Sequence, residues 1–104
     1  MPRIAFKMKL LAGQEAEYER RHDALWPELE KLLKETGIVE YSIFLDEKTL
    51  DLFGVLKIEN AERLNDLPRH PVMQKWWAYM ADIMETNPDN SPLSEPLREV
   101  FYLP

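Results

Sequence analysis

The chain contains no cysteine. That single absence removes disulfides, thiolate catalysis and cysteine-based zinc sites together, and it accords with a reducing, cytoplasmic setting. Glycine is scarce, with three in the whole chain, and there is no phosphate-binding glycine loop, dinucleotide fingerprint, H-E-x-x-H pair or G-x-S-x-G elbow. Two histidines without clustered ligand spacing argue against a metal site. Positive charge is also short: 13 Lys and Arg stand against 19 Asp and Glu, a net −6. Neither nucleic acid nor an anionic membrane is then an expected partner. No apolar run is long enough to span a bilayer. In the opening "MPRIAFKMKLLAG", lysines interrupt the continuous apolar stretch that a signal peptide needs. What survives is a soluble, acidic, intracellular domain whose chemistry is limited to proton transfer by side chains, without cofactor.

What is present suits one domain, residues 1–104, with 45% hydrophobic residues to build a core. Residues 3–10 alternate Ile4, Phe6, Met8 and Leu10 against Arg3, Lys7 and Lys9, a strand with one buried face. After Gly13 a helical pattern runs to about Thr36 and Gly37 stops it. Pro27 has no N–H for the Asp23 carbonyl, so a kink or break is expected near Leu25–Trp26. Strands at 38–46 and 52–59 form a hairpin around "EKTL". Asn60 caps a short helix ending before Pro68, and Pro71 opens another that runs through "VMQKWWAYMADIMET". "NPDNSPLSEP" reads as a loop and "REVFYL" as a last strand.

This order, β-α-β-β-α-β, is the ferredoxin-like α+β arrangement: a four-stranded antiparallel sheet with helices on one face. Strand 38–46 carries Val39, Tyr41, Ile43 and Leu45 on one side, with Ile38 and Phe44 on the other. Phe53 and Val55, and one side of "REVFYL", make the helix-free face apolar as well. Such a face needs a cover, and a second copy of the sheet in a homodimer supplies one. The basic second face of strand 3–10 does not fit that pattern.

The stripe through Leu25, Leu29, Leu32 and Leu33 extends backwards onto Tyr18 and His22, which are neighbours at i and i+4. Two readings of His22 stand on these residues: a core histidine satisfied by backbone or by Tyr18, or an acid–base group in a pocket wall. Trp76 and Trp77 lie within an ordinary core stripe with Met73, Met80 and Met84, yet they diverge by about 100°, so one ring can rim a cavity while the other packs. Aromatic walls with a few placed polar groups also suit a sugar. Tyr41 reads equally as a core-edge tyrosine or a pocket residue. His70 reads as surface, "EAEYERR" as a solvated helix face, and "NPDNSP" as a structural turn.

"EYERRH" with "LWPEL", "YSIFLD", "WWAYMADIM" with "NPDNSP", and the terminal "EVFYLP" together closely resemble the L-rhamnose mutarotases, dimeric α/β-barrel isomerases, nearly end to end. The resemblance implies that His22 is the proton donor and that Tyr18, Tyr41, Trp76 and Trp77 bind the sugar. It further implies a homodimer, L-rhamnose as substrate and neither metal nor cofactor. Two rivals remain: a cofactor-free monooxygenase on the same scaffold, and a non-catalytic small-molecule-binding module.

Overall fold

A computed structural model describes residues 1–104. Strands β1 (Arg3–Lys9), β2 (Ile38–Leu45), β3 (Asp51–Ile58) and β4 (Glu95–Leu97) form one sheet in the order β2-β3-β1-β4, with every pairing antiparallel. Helices α1 (Glu15–Asp23), α2 (Pro27–Glu35) and α3 (Pro71–Met80) and a 3₁₀ helix (Ala61–Arg69) complete the α+β fold. The core lies between sheet and helices. In β3 every second residue faces it, namely Leu52, Gly54, Leu56 and Ile58, and β1 adds Ile4, Phe6 and Met8 opposite them.

Pro27 acts as its chemistry requires. The helical pattern breaks after Asp23 and restarts with Pro27 in the first turn of α2, where its missing N–H costs nothing. Gly37 ends the second piece with φ at +101°, a backbone state that favours glycine. Asn60 caps the 3₁₀ helix by accepting from the Glu62 N–H at 3.1 Å. That helix continues through Pro68 to Arg69 instead of stopping before the proline. His70 is exposed, as expected, and its Nδ1 caps α3 by accepting from the Val72 N–H at 3.2 Å.

Three further expectations need correction. α3 ends at Met80 and does not reach Thr86. The chain leaves the helix to bond with the end of β1: the Leu11 N–H donates to the Ile83 carbonyl and the Glu85 N–H to that of Lys9. This buries Ile83 and Met84 without further helix. In β2 a bulge at Val39 shifts the register, so Ile38 pairs with Ile58 on the buried face and Val39 is left exposed, the reverse of strict alternation. Finally, the last strand is Glu95–Leu97, while 98–103 carries no strand. Continuing the Ala5↔Leu97 register puts Arg98 opposite Ile4 and Glu99 opposite Arg3, where β1 ends. Beyond Glu99, a longer strand has nothing in β1 to pair with.

The basic second face of β1 finds its partners in the fold. Lys7 lies 3.6 Å from Glu95 and Lys9 3.5 Å from Asp51, while the Arg3 guanidinium sits 4.4 Å over the Tyr102 ring. The opposite side of β1 supplies Phe6, whose ring lies across Gly54, and a Cβ there would stand 2.5 Å from the ring edge. The same ring meets Tyr41 edge-on at 6.1 Å. Gly54 thus gives Phe6 room to floor the space beneath Tyr41.

Gly54→Ala tests this packing. Replacing an ordinary interior strand glycine by alanine stabilises by roughly 0.5–1 kcal/mol. Here the Phe6 clash should reverse the sign and cost roughly 1–3 kcal/mol in urea unfolding. A gain in stability would mean that the ring swings aside freely.

Candidate active site

α1, "EAEYERRHD", is a polar helix with only Tyr18 and Arg21 buried. Tyr18 and His22 share a face, and their rings stack with centroids 4.2 Å apart. The imidazole then meets Trp76 of α3 edge-on at 5.4 Å. Trp76 also meets Trp26 edge-on at 5.0 Å, and Tyr79 completes the group at 5.6 Å from Trp76. Trp26 stands immediately before Pro27, and that proline holds its backbone extended (φ −61°, ψ 132°).

His22 Nδ1 lies 3.0 Å from the Tyr18 carbonyl oxygen. A carbonyl oxygen only accepts, so Nδ1 carries the proton and the neutral ring offers its lone pair at Nε2. Burial lowers the His22 pKa from the ordinary 6.5, against the smaller raising effects of the Tyr18 carbonyl and the Asp23 charge. Burial also raises the Tyr18 phenol, with the neighbouring Tyr41 adding to it, and burial alone raises Tyr41. Both phenols therefore hold their protons at neutral pH, although Tyr41 keeps 39% of its surface exposed.

These groups wall a cleft of about 1050 Å³ between α1, α3 and the helix-facing side of the sheet. That is near the top of the roughly 300–1,000 Å³ usual for small-ligand sites. Tyr18, His22, Tyr41, Trp76 and Trp77 all line it, so the fold brings together all five residues singled out in the sequence. Phe6, Met8, Met73, Met80 and Met84 make the rest of its wall apolar, while the exposed Glu19, Asp23, Glu47 and Ser94 contribute polar groups. Trp76 is 5% exposed and Trp77 is only half-buried, so the two indoles are unequal, as their divergence on the helix requires. No three His, Asp or Glu side chains come together in a way that could hold a metal ion, and no helix is long and apolar enough to cross a membrane. Ser91 and Pro92 of the "NPDNSP" turn also line the cleft. That turn is tied internally by Asn87 N–H to the Ser91 carbonyl at 2.8 Å and by the Ser91 N–H to Asp89 at 3.0 Å.

Sequence reasoning missed part of this assembly. "EAEYERR" is not wholly a solvated face, since the Arg21 side chain is only 10% exposed. Its Nε donates to Glu17 at 2.6 Å, Nη1 to the Tyr79 carbonyl at 2.7 Å and to Asp82 at 2.9 Å, and Nη2 to Asp82 at 3.3 Å. The Arg20 and Arg21 hydrogen bonds pull the Glu17 carboxyl down to about 2, and the Arg21 hydrogen bonds lower Asp82 as well. The available signal was spacing: Arg21 is at i+3 from Tyr18 and i+4 from Glu17.

Comparison with known proteins agrees with this geometry along the whole chain. A family model described as L-rhamnose mutarotase matches residues 3–103. An L-rhamnose mutarotase from Brucella anthropi is 60% identical over 102 residues, 98% of this chain and 96% of that protein. The crystal structure of an L-rhamnose mutarotase from Formosa agariphila superposes with a TM-score of 0.94 at 54% identity, covering 100% of both chains. A dimeric ferredoxin-like protein from an uncultured marine organism shares the fold alone, with a TM-score of 0.57 at 10% identity over 97% of this chain and 96% of that one. A match of such identity, unbroken from β1 through the tail, settles descent: this chain belongs to the L-rhamnose mutarotase family.

Proposed function

We propose that this protein is a cytoplasmic isomerase that interconverts the α and β anomers of L-rhamnose during rhamnose catabolism, with His22 moving the proton. The observation that carries the reading is the full-length family match combined with a neutral, half-buried imidazole in the wall of an aromatic cleft. Ring opening takes a proton off the anomeric hydroxyl, forms the aldehyde, breaks the bond from C1 to the ring oxygen and puts a proton on that oxygen. His22 Nε2 takes the first proton, and the resulting imidazolium is the donor for the second. The open aldehyde turns about its bond to C2, and closure on its other face reverses the same transfers. Nothing is oxidised and no group leaves, so the reaction calls for no metal or nucleotide.

Tyr18 and Tyr41, whose raised pKa values keep them protonated, donate hydrogen bonds to sugar oxygens. Trp76, Trp77 and the methionines of the wall pack against the C–H faces and the methyl of the 6-deoxy sugar. The rival readings predict other outcomes. A cofactor-free monooxygenase would consume oxygen and leave anomers alone, and a binding module would hold the sugar without speeding exchange.

A homodimer is part of the same proposal. Phe44 is 64% exposed, and Val100, Phe101 and Leu103 are 80%, 77% and 77% exposed, all apolar. The tail runs past the end of β1 with no strand to join, so a second copy is the fitting cover for both it and the sheet face.

Three outcomes follow. Magnetisation-exchange NMR between the two rhamnose anomers should show catalysis by the protein, and His22→Gln should slow it by about 10²–10⁴-fold while melting and oligomeric state stay close to those of the parent. Parent-like exchange in folded His22→Gln would remove His22 from the mechanism. The catalysed rate, after subtraction of the spontaneous one, should hold above pH 6.5 and fall as acid protonates His22 through its lowered midpoint. A fall already complete near pH 7 would contradict a depressed imidazole. Sedimentation should give twice the chain mass at micromolar concentration, and a stable monomer would refute the dimer.

A further inference from the structure

α1 carries Tyr18 and His22 yet has little apolar surface with which to hold its place. Of its nine residues only Tyr18 and Arg21 are buried. A surface helix usually stays put through an apolar stripe, and here a guanidinium replaces it. Arg21 makes four hydrogen bonds, to Glu17 of its own helix, to the Tyr79 carbonyl near the end of α3 and to both Asp82 oxygens just past it. The Tyr79 carbonyl is among the last four of α3, which have no partner within the helix and attract a cation. The Arg21 plane also lies 4.4 Å over the Tyr79 ring. Tyr79 follows Trp76 by one turn, and Trp76 is the ring that His22 meets. The anchor therefore joins the residue next to His22 to the turn next to Trp76.

We infer that Arg21 is a positioning residue for anomer exchange: its bridge to Tyr79 and Asp82 sets the distance between α1 and α3, and so keeps the His22 imidazole between Tyr18 and Trp76, facing the cleft. The inference rests on the catalytic reading of His22. Displacing a reacting group by about 1 Å costs on the order of 10²-fold in rate. Lysine cannot substitute, because an ammonium reaches the carbonyl or the carboxylate as a point charge and not both as a planar fork.

The test pairs Arg21→Lys with Asp82→Ala. The first keeps the charge near His22 and removes the fork. The second removes the Asp82 arm of the bridge from outside α1, at a side chain that is 67% exposed, and leaves the contact with the Tyr79 carbonyl in place. Both should lower the catalysed exchange rate, per folded molecule and well below melting, by about 10-fold or more. In Arg21→Lys the His22 imidazole, followed by NMR titration, should rise toward 6.5 as α1 lifts and water reaches the ring. A purely structural bridge would lower the melting temperature and leave the rate per folded molecule and the titration unchanged, which would overturn the inference. If Arg21→Lys does not fold, Asp82→Ala decides by rate alone. The titration also judges the positioning separately from the proposed reaction: a protein inactive on rhamnose whose His22 still shifts in Arg21→Lys would refute the activity and keep the bridge.

Discussion

The site depends on what Pro27 forbids. Without it, residues 15–35 could form one rod, and the leucine stripe would continue over the sheet. Proline removes an N–H and blocks the carbonyl four residues back. The helix therefore stops at Asp23 and begins again at Pro27. α2 then packs Leu29 into the core, where it is 1% exposed, while α1 is free to take its own direction as a wall of the cleft. The same proline holds Trp26 extended, and that indole packs against Trp76, the ring that His22 also meets. One backbone constraint thus separates the part of the pattern that fills core from the part that lines a cavity.

The cavity wall in turn tunes the groups it holds. Methionine and aromatic side chains exclude water from the imidazole and the two phenols, and exclusion disfavours charge on all three. Histidine is thereby kept neutral and tyrosine kept protonated at the same pH. An imidazole with its Nδ1 proton tied to a backbone carbonyl has one direction in which to accept, and each protonated phenol has an O–H to donate. This division of roles suits a reaction that moves protons about a neutral sugar and separates no lasting charge.

Much of this was legible in the sequence where local chemistry decides. Period-2 alternation found β1 and β3, Pro27 and Gly37 marked helix ends, and the i,i+4 spacing of Tyr18 and His22 put them on one face. The errors arose where the decision is made by distant parts of the chain. Nothing local in "WWAYMADIMET" says that Met84 pairs beside Leu10 and leaves the helix, because that depends on the length of β1. The bulge at Val39 depends on register with β3, and the fate of "REVFYL" on where β1 runs out. Arg21 was misjudged for a related reason. A charged residue on a polar helix looks solvated until its acceptors at the end of α3 and just past it, 58 and 61 positions away, are in view.

The central claim is that neutral His22, protonated at Nδ1 and open at Nε2, faces the bound sugar. Nitrogen-15 chemical shifts of the imidazole at neutral pH, with and without L-rhamnose, test it most directly. The free protein should show the Nδ1–H tautomer, and adding the sugar should shift mainly Nε2. An imidazolium, the opposite tautomer, or an Nε2 signal indifferent to saturating L-rhamnose would contradict it.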